Sequence, residues 1–346
     1  MIRMRRSNYN PAVEDCDHAG LLLDKGFEIW GDDHNQKIAE LHQAAAKIYC
    51  SGLYKLAYAR WCDYQLASGE NSQVWFGQLE NRLYIGLGEI SPLEAGITLH
   101  RSYGVPFIPG SAVKGVLHHY ALEAKVHQRT INLLFGEEAS ATRKDDSGSA
   151  GFVIFNDAWW VPNDNLPALV PETITVHHPD YYSKQGKKPA TDFDSPNPNP
   201  QIAVQGSFMF SVEGDSSLSQ FAIALLKKAL KEAGIGAKTS SGYGFFDDNE
   251  SENNRYKSAA SERLKAEASP EERIRLLVEE MTLKDLPAIL GPHIKKTAQE
   301  ITQAHWNSYI ELILRKFGGE IEGWKKGDKN KKKAYNVIHG NKTINW

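Results

Sequence analysis

The chain has 346 residues, 41% hydrophobic and 24% charged, enough for one or two packed units with appendages. No run approaches the roughly twenty consecutive apolar residues of a membrane span, and the basic start, Met1 to Ser7, runs into polar Asn8 and Asn10, so no secretory leader is expected. With 40 Lys+Arg against 43 Asp+Glu the net charge is -3, which excludes a molecule that is basic all over, so any polyanion site must be local.

Residues 1–75 read as a mainly helical N-terminal extension: Ile38, Leu41, Ala45, Ile48 and Tyr49 recur at three- and four-residue steps. Trp30-Gly31-Asp32-Asp33 resembles a paired-carboxylate hairpin but is followed by a polar helical pattern, so two-metal chemistry is not expected there. Cys16, Cys50 and Cys62 are odd in number and carry no CxxC spacing, which argues against a disulfide framework or zinc ribbon and fits a reducing, cytoplasmic compartment. No HExxH or repeated Asp/His pairing occurs, so neither a metal nor another cofactor is expected.

From Arg82, alternation of Leu83, Ile85 and Leu87 predicts a first strand. Val113, Val116, Leu117, Tyr120 and Ala121 predict an amphipathic helix with Ser111 as N-cap. Residues 151–155 predict a second strand and residues 203–212 a third, half-buried one with Val204, Phe208, Phe210 and Val212 on one side. Phe221, Leu225, Ala229, Leu230 and Ala233 predict a second helix stopped by Gly234, and Gly244-Phe245-Phe246 begins a last strand. The order is β-α-β-β-α-β, an α+β, ferredoxin-like (RRM-like) sheet domain over residues 76–250, and that sheet is a common platform for single-stranded RNA.

A long connection at 156–201 interrupts this pattern and reads as a projecting excursion carrying His177, His178, Tyr181, Tyr182, Lys184, Lys187 and Lys188. Residues 260–346 form a helical C-terminal extension, separated by a polar linker with Asp247, Asp248, Glu250 and Glu252. Its first helix has a capping box at Ser269-Pro270-Glu271-Glu272, and its second runs from about Ile294 to Phe317, ending at Gly318-Gly319. The lysine run Lys325, Lys326, Lys329, Lys331, Lys332 and Lys333 reads first as a solvated tail.

The chemistry concentrates in two stretches. In residues 234–244, four glycines in eleven residues let amides converge on one point, and Lys238, Thr239, Ser240 and Ser241 add donors suited to phosphate oxygens. This is not an NTP-binding loop, because Ala237 precedes the lysine and the loop leaves a helix for a strand. In residues 99–115, Ser111 opens a helix whose free amides attract an anion, and Lys114 opposes the helix dipole unless a negative group offsets it.

The motifs "IPGSAVKG" and "GIGAKTSSGYG", with "GFVIFNDAWW" and "HHPDYYSKQGKKPATDFDSPNPNP" between them, resemble the RAMP superfamily of CRISPR effector proteins, most of all the sixth-subunit family of the Cmr, or type III-B, complex. The likeness covers about residues 80–248. It implies a non-catalytic subunit that caps a protein filament near the guide RNA 3′ end in antiviral defence, base pairing reading the sequence while protein holds the backbone. By motif position it implies guide contacts from His100, Arg101, Ser111, Lys114, Gly236, Lys238, Thr239, Ser240 and Tyr243. It implies a thumb-like role for Tyr181, Tyr182, Lys184, Lys187 and Lys188, and as partners guide RNA, target RNA, other RAMP subunits and the small helical subunit of the complex, with no membrane.

The rival expectation is a metal-independent RNA-processing endonuclease using histidine as general acid or base. His100 is its best-placed candidate, since adjacent His118 and His119 point about 100° apart on a helix and cannot share one site.

Overall fold

The computed structural model describes residues 16–26, 34–89, 91, 93, 95–137, 148–183, 185–290 and 293–340. Trp30 to Asp33 and Lys184 lie outside them. In chain order the first elements are α1 Ala19–Lys25, α2 His34–Ala45, α3 Gly52–Ala67, β1 Ser72–Leu79, β2 Phe107–Ile108, α4 Gly110–Glu123 and α5 Gln128–Phe135. Then follow β3 Gly136–Glu137, β4 Ser149–Ala150, β5 Val153–Phe155, β6 Ala158–Trp160, β7 Leu169–Val176, α6 Pro179–Ser183, β8 Asn197–Val204, β9 Ser207–Gly214, α7 Ser216–Glu232 and β10 Phe246–Asp248. The last are α8 Glu250–Glu267, α9 Pro270–Glu280, α10 Leu286–Ile289, α11 Ile294–Ile321 and α12 Lys329–Ile338. Two compact units divide between Tyr256 and Lys257. Among the described residues no helix is long and apolar enough to cross a membrane.

The first unit is built on an antiparallel sheet ordered β10-β1-β9-β6-β2, with β5 also paired to β9. The first strand lies ten residues before the expected position: β1 starts at Ser72, while Leu83 and Tyr84 make only isolated bridges to Val204 and Ala237. The alternation at Leu83 and Ile85 records burial, at 0% and 7% exposure, without a ladder. Gly77 gives the indole of Trp75 room to lie along its own strand, since a Cβ there would fall 2.7 Å from the ring. Trp75 stacks on Phe210 at 5.2 Å and donates from Nε1 to Asp248 at 2.6 Å.

Helices α4 and α7 cover the face carrying Phe208, Phe210 and Val212, and Leu226, Ala229 and Leu230 of α7 are fully buried. The opposite face is covered as well. Cys62 of α3 meets Met209 at 3.6 Å, and Gln65 donates to Glu213 at 2.9 Å. Tyr256 of α8 packs on Phe76 at 5.6 Å, and Asn253 exchanges two hydrogen bonds with the Phe76 backbone, closing the ladder beyond the end of β10. The sheet is therefore a central layer, and β9 is buried on both faces from Ser207 to Val212 rather than half-buried. The segment expected as a polar linker is β10 followed by α8.

The expected strand at 203–212 is split at Gly206, whose φ is +102°; β8 belongs to a separate ribbon with β7. Thr175 faces Pro198, Thr173 faces Pro200 and Pro171 faces Ile202. Val204, in the same alternation as Pro198 and Pro200, donates its amide outward to Leu83 at 2.9 Å, so the prolines occupy positions whose missing N–H would point away from β7. Ile38, Leu41 and Ala45 of α2 are buried in the same core as Leu169 and Ile202 at the ribbon base.

The second unit has its own core, including Ile274, Val278, Tyr309, Ile313, Trp324 and Val337. The capping box at Ser269 and Glu272 is formed. α11 runs through Gly318 and Gly319, and the lysine run folds as a turn and α12 instead of a loose tail.

Candidate nucleic-acid interface

After α7 the chain turns at Gly234, φ +71°, and buries Ile235 at 2% exposure. Ile235 N–H donates to Gly244 C=O at 2.9 Å, Ala237 to Tyr84 at 2.8 Å, and Gly244 to Arg82 at 2.7 Å. The loop is thus pinned at both ends on residues 82–84. A Cβ at Gly236 would lie 2.2 Å from the Tyr84 carbonyl oxygen, and at Gly244 1.9 Å from that of Ile235, so these two glycines serve backbone-to-backbone approach. Between the pins, Lys238, Ser240, Ser241 and Gly242 are exposed. Lys238 holds a left-handed φ of +61°, a conformation costing roughly 1–2 kcal/mol without glycine. It forms no ion pair among the described residues. Tyr243 packs on Tyr84 at 4.8 Å, and burial pushes the Tyr84 phenol up.

The entry to α4 differs from the expectation. Its N-cap is Pro109, not Ser111, and the Gly110 amide donates to the Asp157 carboxylate at 2.7 Å. A carboxylate of the chain already occupies the positive helix end that was expected to take an RNA phosphate. Lys114 donates from Nζ to the Phe135 carbonyl at 2.9 Å, closing the end of α5. An open groove beside it is lined by Ser111, Lys114, Phe135, Ser149 and Ile154.

His100 lies in an aromatic nest, 4.4 Å from Tyr103, 6.0 Å from Phe107 and 6.0 Å from Trp159. Its Nδ1 accepts from the Ser102 amide at 3.3 Å. Burial lowers its pKa, opposed by the charge of Asp157. The cavity it shares with Tyr54 and Asp157 is about 40 Å³, room for a water but not a nucleotide. Arg101, on the following turn, is exposed and forms no ion pair among the described residues.

Tyr181, Lys187 and Lys188 sit beyond the far end of the β7–β8 ribbon, whose eight-residue strands span about 27 Å at about 3.4 Å per residue. Tyr182 is in α6 at the same end. This cluster is separate from the glycine loop. Lys188 pairs with Asp180, and His178 meets Asp194 at 3.0 Å, so the tip is tied by its own side chains.

The sheet face that would stack bases is occupied by the chain's own rings. Trp61 stacks on Trp159 at 6.0 Å and on Tyr64 at 5.4 Å, and Tyr54 stacks on Trp159 at 5.8 Å. Arg101 and the crown of the glycine loop face outward, and Ser111 and Lys114 are exposed as well, at the helix entry beside the open groove. Sequence reasoning missed Asp157, which acts on an amide 47 residues away and carries no local signal. Among the described residues no group of three or more His, Cys, Asp or Glu could hold a metal ion. His118 packs on Phe135 at 4.9 Å, while His119 faces solvent beside Glu123.

A family model described as the RAMP superfamily matches residues 78–247. The chain is 32% identical over 246 residues to the CRISPR system Cmr subunit Cmr6 of Pyrococcus furiosus, covering 56% of this chain and 72% of that protein. It is 28% identical over 160 residues to the CRISPR system CMR subunit Cmr6 of Saccharolobus solfataricus, covering 44% of this chain and about half, 49%, of the relative. Among solved structures it is similar to a cryo-EM structure of the Type III-B Cmr-beta bound to cognate target RNA, with 18% identity, a TM-score of 0.49 and coverage of 62% of this chain and 72% of that one. A crystal structure of Cmr6 from Pyrococcus furiosus gives 28% identity, a TM-score of 0.32 and coverage of 51% and 97%.

Proposed function

The chain belongs to the RAMP superfamily and, within it, to the Cmr6 subunits of CRISPR Cmr systems, and we propose that it is a non-catalytic RNA-holding subunit of a type III-B effector ribonucleoprotein. In this reading it grips the guide RNA backbone near the 3′ end in the cytoplasm and meets guide and target RNA, other RAMP subunits and the small helical subunit. The sheet order β10-β1-β9 followed by β5 and β6, with α4 and α7 on one face, supports the ferredoxin-like reading of the RAMP unit.

The observation that carries the proposal is the glycine loop, whose backbone is fixed at both ends while Lys238, Ser240 and Ser241 face solvent. Side chains mounted on a fixed backbone spare a phosphate ligand the cost of ordering the loop, and Arg101 adds a second unpaired charge. Cleavage by His100 has less support, because its ring is packed among aromatic side chains beside a water-sized cavity.

Filter binding of guide RNA to the Lys238→Glu variant tests the assignment. Loss of one phosphate contact lowers affinity at least about fivefold near 0.1 M salt, with unfolding unchanged. Unaltered affinity together with unaltered complex assembly would remove the RNA-cradle assignment. Site-specific cleavage of repeat RNA in chelator, abolished by His100→Ala, would replace it with the nuclease reading.

A further inference from the structure

The structure assigns a second nucleic-acid surface to the C-terminal unit: we propose that the lysine turn at residues 325–333 binds the phosphate backbone of single-stranded RNA without reading its sequence. This surface lies wholly beyond the RAMP match, which ends at residue 247, and stands apart from the glycine-loop assignment.

The lysines are mounted on folded structure. Trp324, Ala334, Val337 and Ile338 are buried in the core of the unit and anchor the turn and α12 from below. Lys325, Lys326, Lys329 and Lys332 are exposed, with Lys331 and Lys333 half-buried. None of the six forms an ion pair among the described residues. Three lysines of other elements show the alternative: Lys231 meets Asp247 at 3.0 Å, Lys265 meets Glu280 at 2.6 Å, and Lys316 donates to the carbonyls of Val278, Glu279 and Met281.

Two nearby carboxylates have contacts of their own. Asp328 accepts the amides of Asn330 and Lys331, both at 2.9 Å, as the cap of α12, and Glu322 faces His339 at 4.0 Å. Lys329 and Lys331 lie in the first turn of α12, where the helix dipole adds to the repulsion among like charges. A bound anion would offset both.

Two features favour a nucleic-acid backbone over a bilayer. Among the described residues no large apolar side chain is exposed after Leu264, so the described part of this surface presents none of the apolar groups by which an interfacial helix enters a bilayer. Several unpaired lysines side by side suit a polymer whose condensed counterions are released on contact.

Anisotropy titrations of labelled oligouridine against full-length Lys325→Glu/Lys329→Glu/Lys332→Glu test the proposal, in a Lys238→Glu background and without it. Three lost contacts reduce the slope of log affinity on log salt by about 2, and affinity near 0.1 M salt about a hundredfold. The Lys→Gln triple, which adds no repulsion, shows the same direction. A matched reversal at exposed Lys228, Lys257 and Lys284 leaves the slope nearly unaltered. The proposal fails if the run variants keep the original slope, if the matched reversal loses as much, or if polyglutamate or phosphatidylserine vesicles compete as well as RNA at equal charge. Binding that survives Lys238→Glu and disappears in the triple variant belongs to this surface, whatever the fate of the glycine loop.

Discussion

The loop at residues 234–244 and the entry to α4 at residues 109–115 carry the same kinds of residue, glycines beside serines and a lysine, and the fold uses them differently. At the α4 entry, Asp157 takes the Gly110 amide and the Phe135 carbonyl takes the Lys114 ammonium. In the loop, backbone pairing with residues 82–84 holds the ends, Ser241 and Gly242 donate their amides to the Lys238 and Thr239 carbonyls within the turn, and the side chains of Lys238, Ser240 and Ser241 are left for solvent. What separates an internal brace from a polar crown open to solvent is whether the chain supplies its own counter-group, which can come from a residue remote in sequence.

The largest expected effect tests the rigidity of the loop. Gly244→Ala places a Cβ against the Ile235 carbonyl with φ at +77°, so it destabilises the first unit by about 3 kcal/mol. Gly242→Ala meets open space and costs only about 1 kcal/mol for its left-handed backbone. Urea midpoints compare them, and equal losses would mean that the ends are not pinned as described.

At the α4 entry, Asp157→Ala removes a cap and lowers stability by about 1 kcal/mol, with part of the loss recovered in Asp157→Asn. RNA affinity that rises in Asp157→Ala would show that the carboxylate had been holding a phosphate site closed. The smallest effect concerns pH. Burial lowers the His100 pKa, so the native state binds fewer protons than the unfolded chain just below the ordinary histidine range. Its contribution is present at neutral pH and lost as pH falls through that range. Urea midpoints at pH 7 and pH 5 should show less acid loss in His100→Gln than in the unaltered protein.

Much of the architecture was written in local periodicity. α7 is legible because Leu225, Ala229 and Leu230 recur on one face, and α9 because its capping box is contiguous. β1 was hidden: Gly77 and Gln78 interrupt its apolar run, and Trp75 and Phe76 point to two different covered faces. α8 was obscured by its polar composition, which reads as a linker, although Asn253 and Tyr256 tie it to β1. The glycine loop was legible as a turn presenting polar groups because Lys238, Thr239, Ser240 and Ser241 are consecutive. The contacts of Gly110 and Lys114 were not, because they are made with Asp157 and Phe135, and covering of the sheet by α3 depends on rings more than 90 residues from Trp159 in the chain.

The prolines of the β7–β8 ribbon have a consequence for crowding. Pro198 and Pro200 leave two successive outward positions on β8 without a donor, so a neighbouring extended chain cannot zip onto that margin by regular main-chain pairing. Where many copies are held close together, the finger keeps to itself, available for contacts made by its side chains but protected from runaway strand accretion.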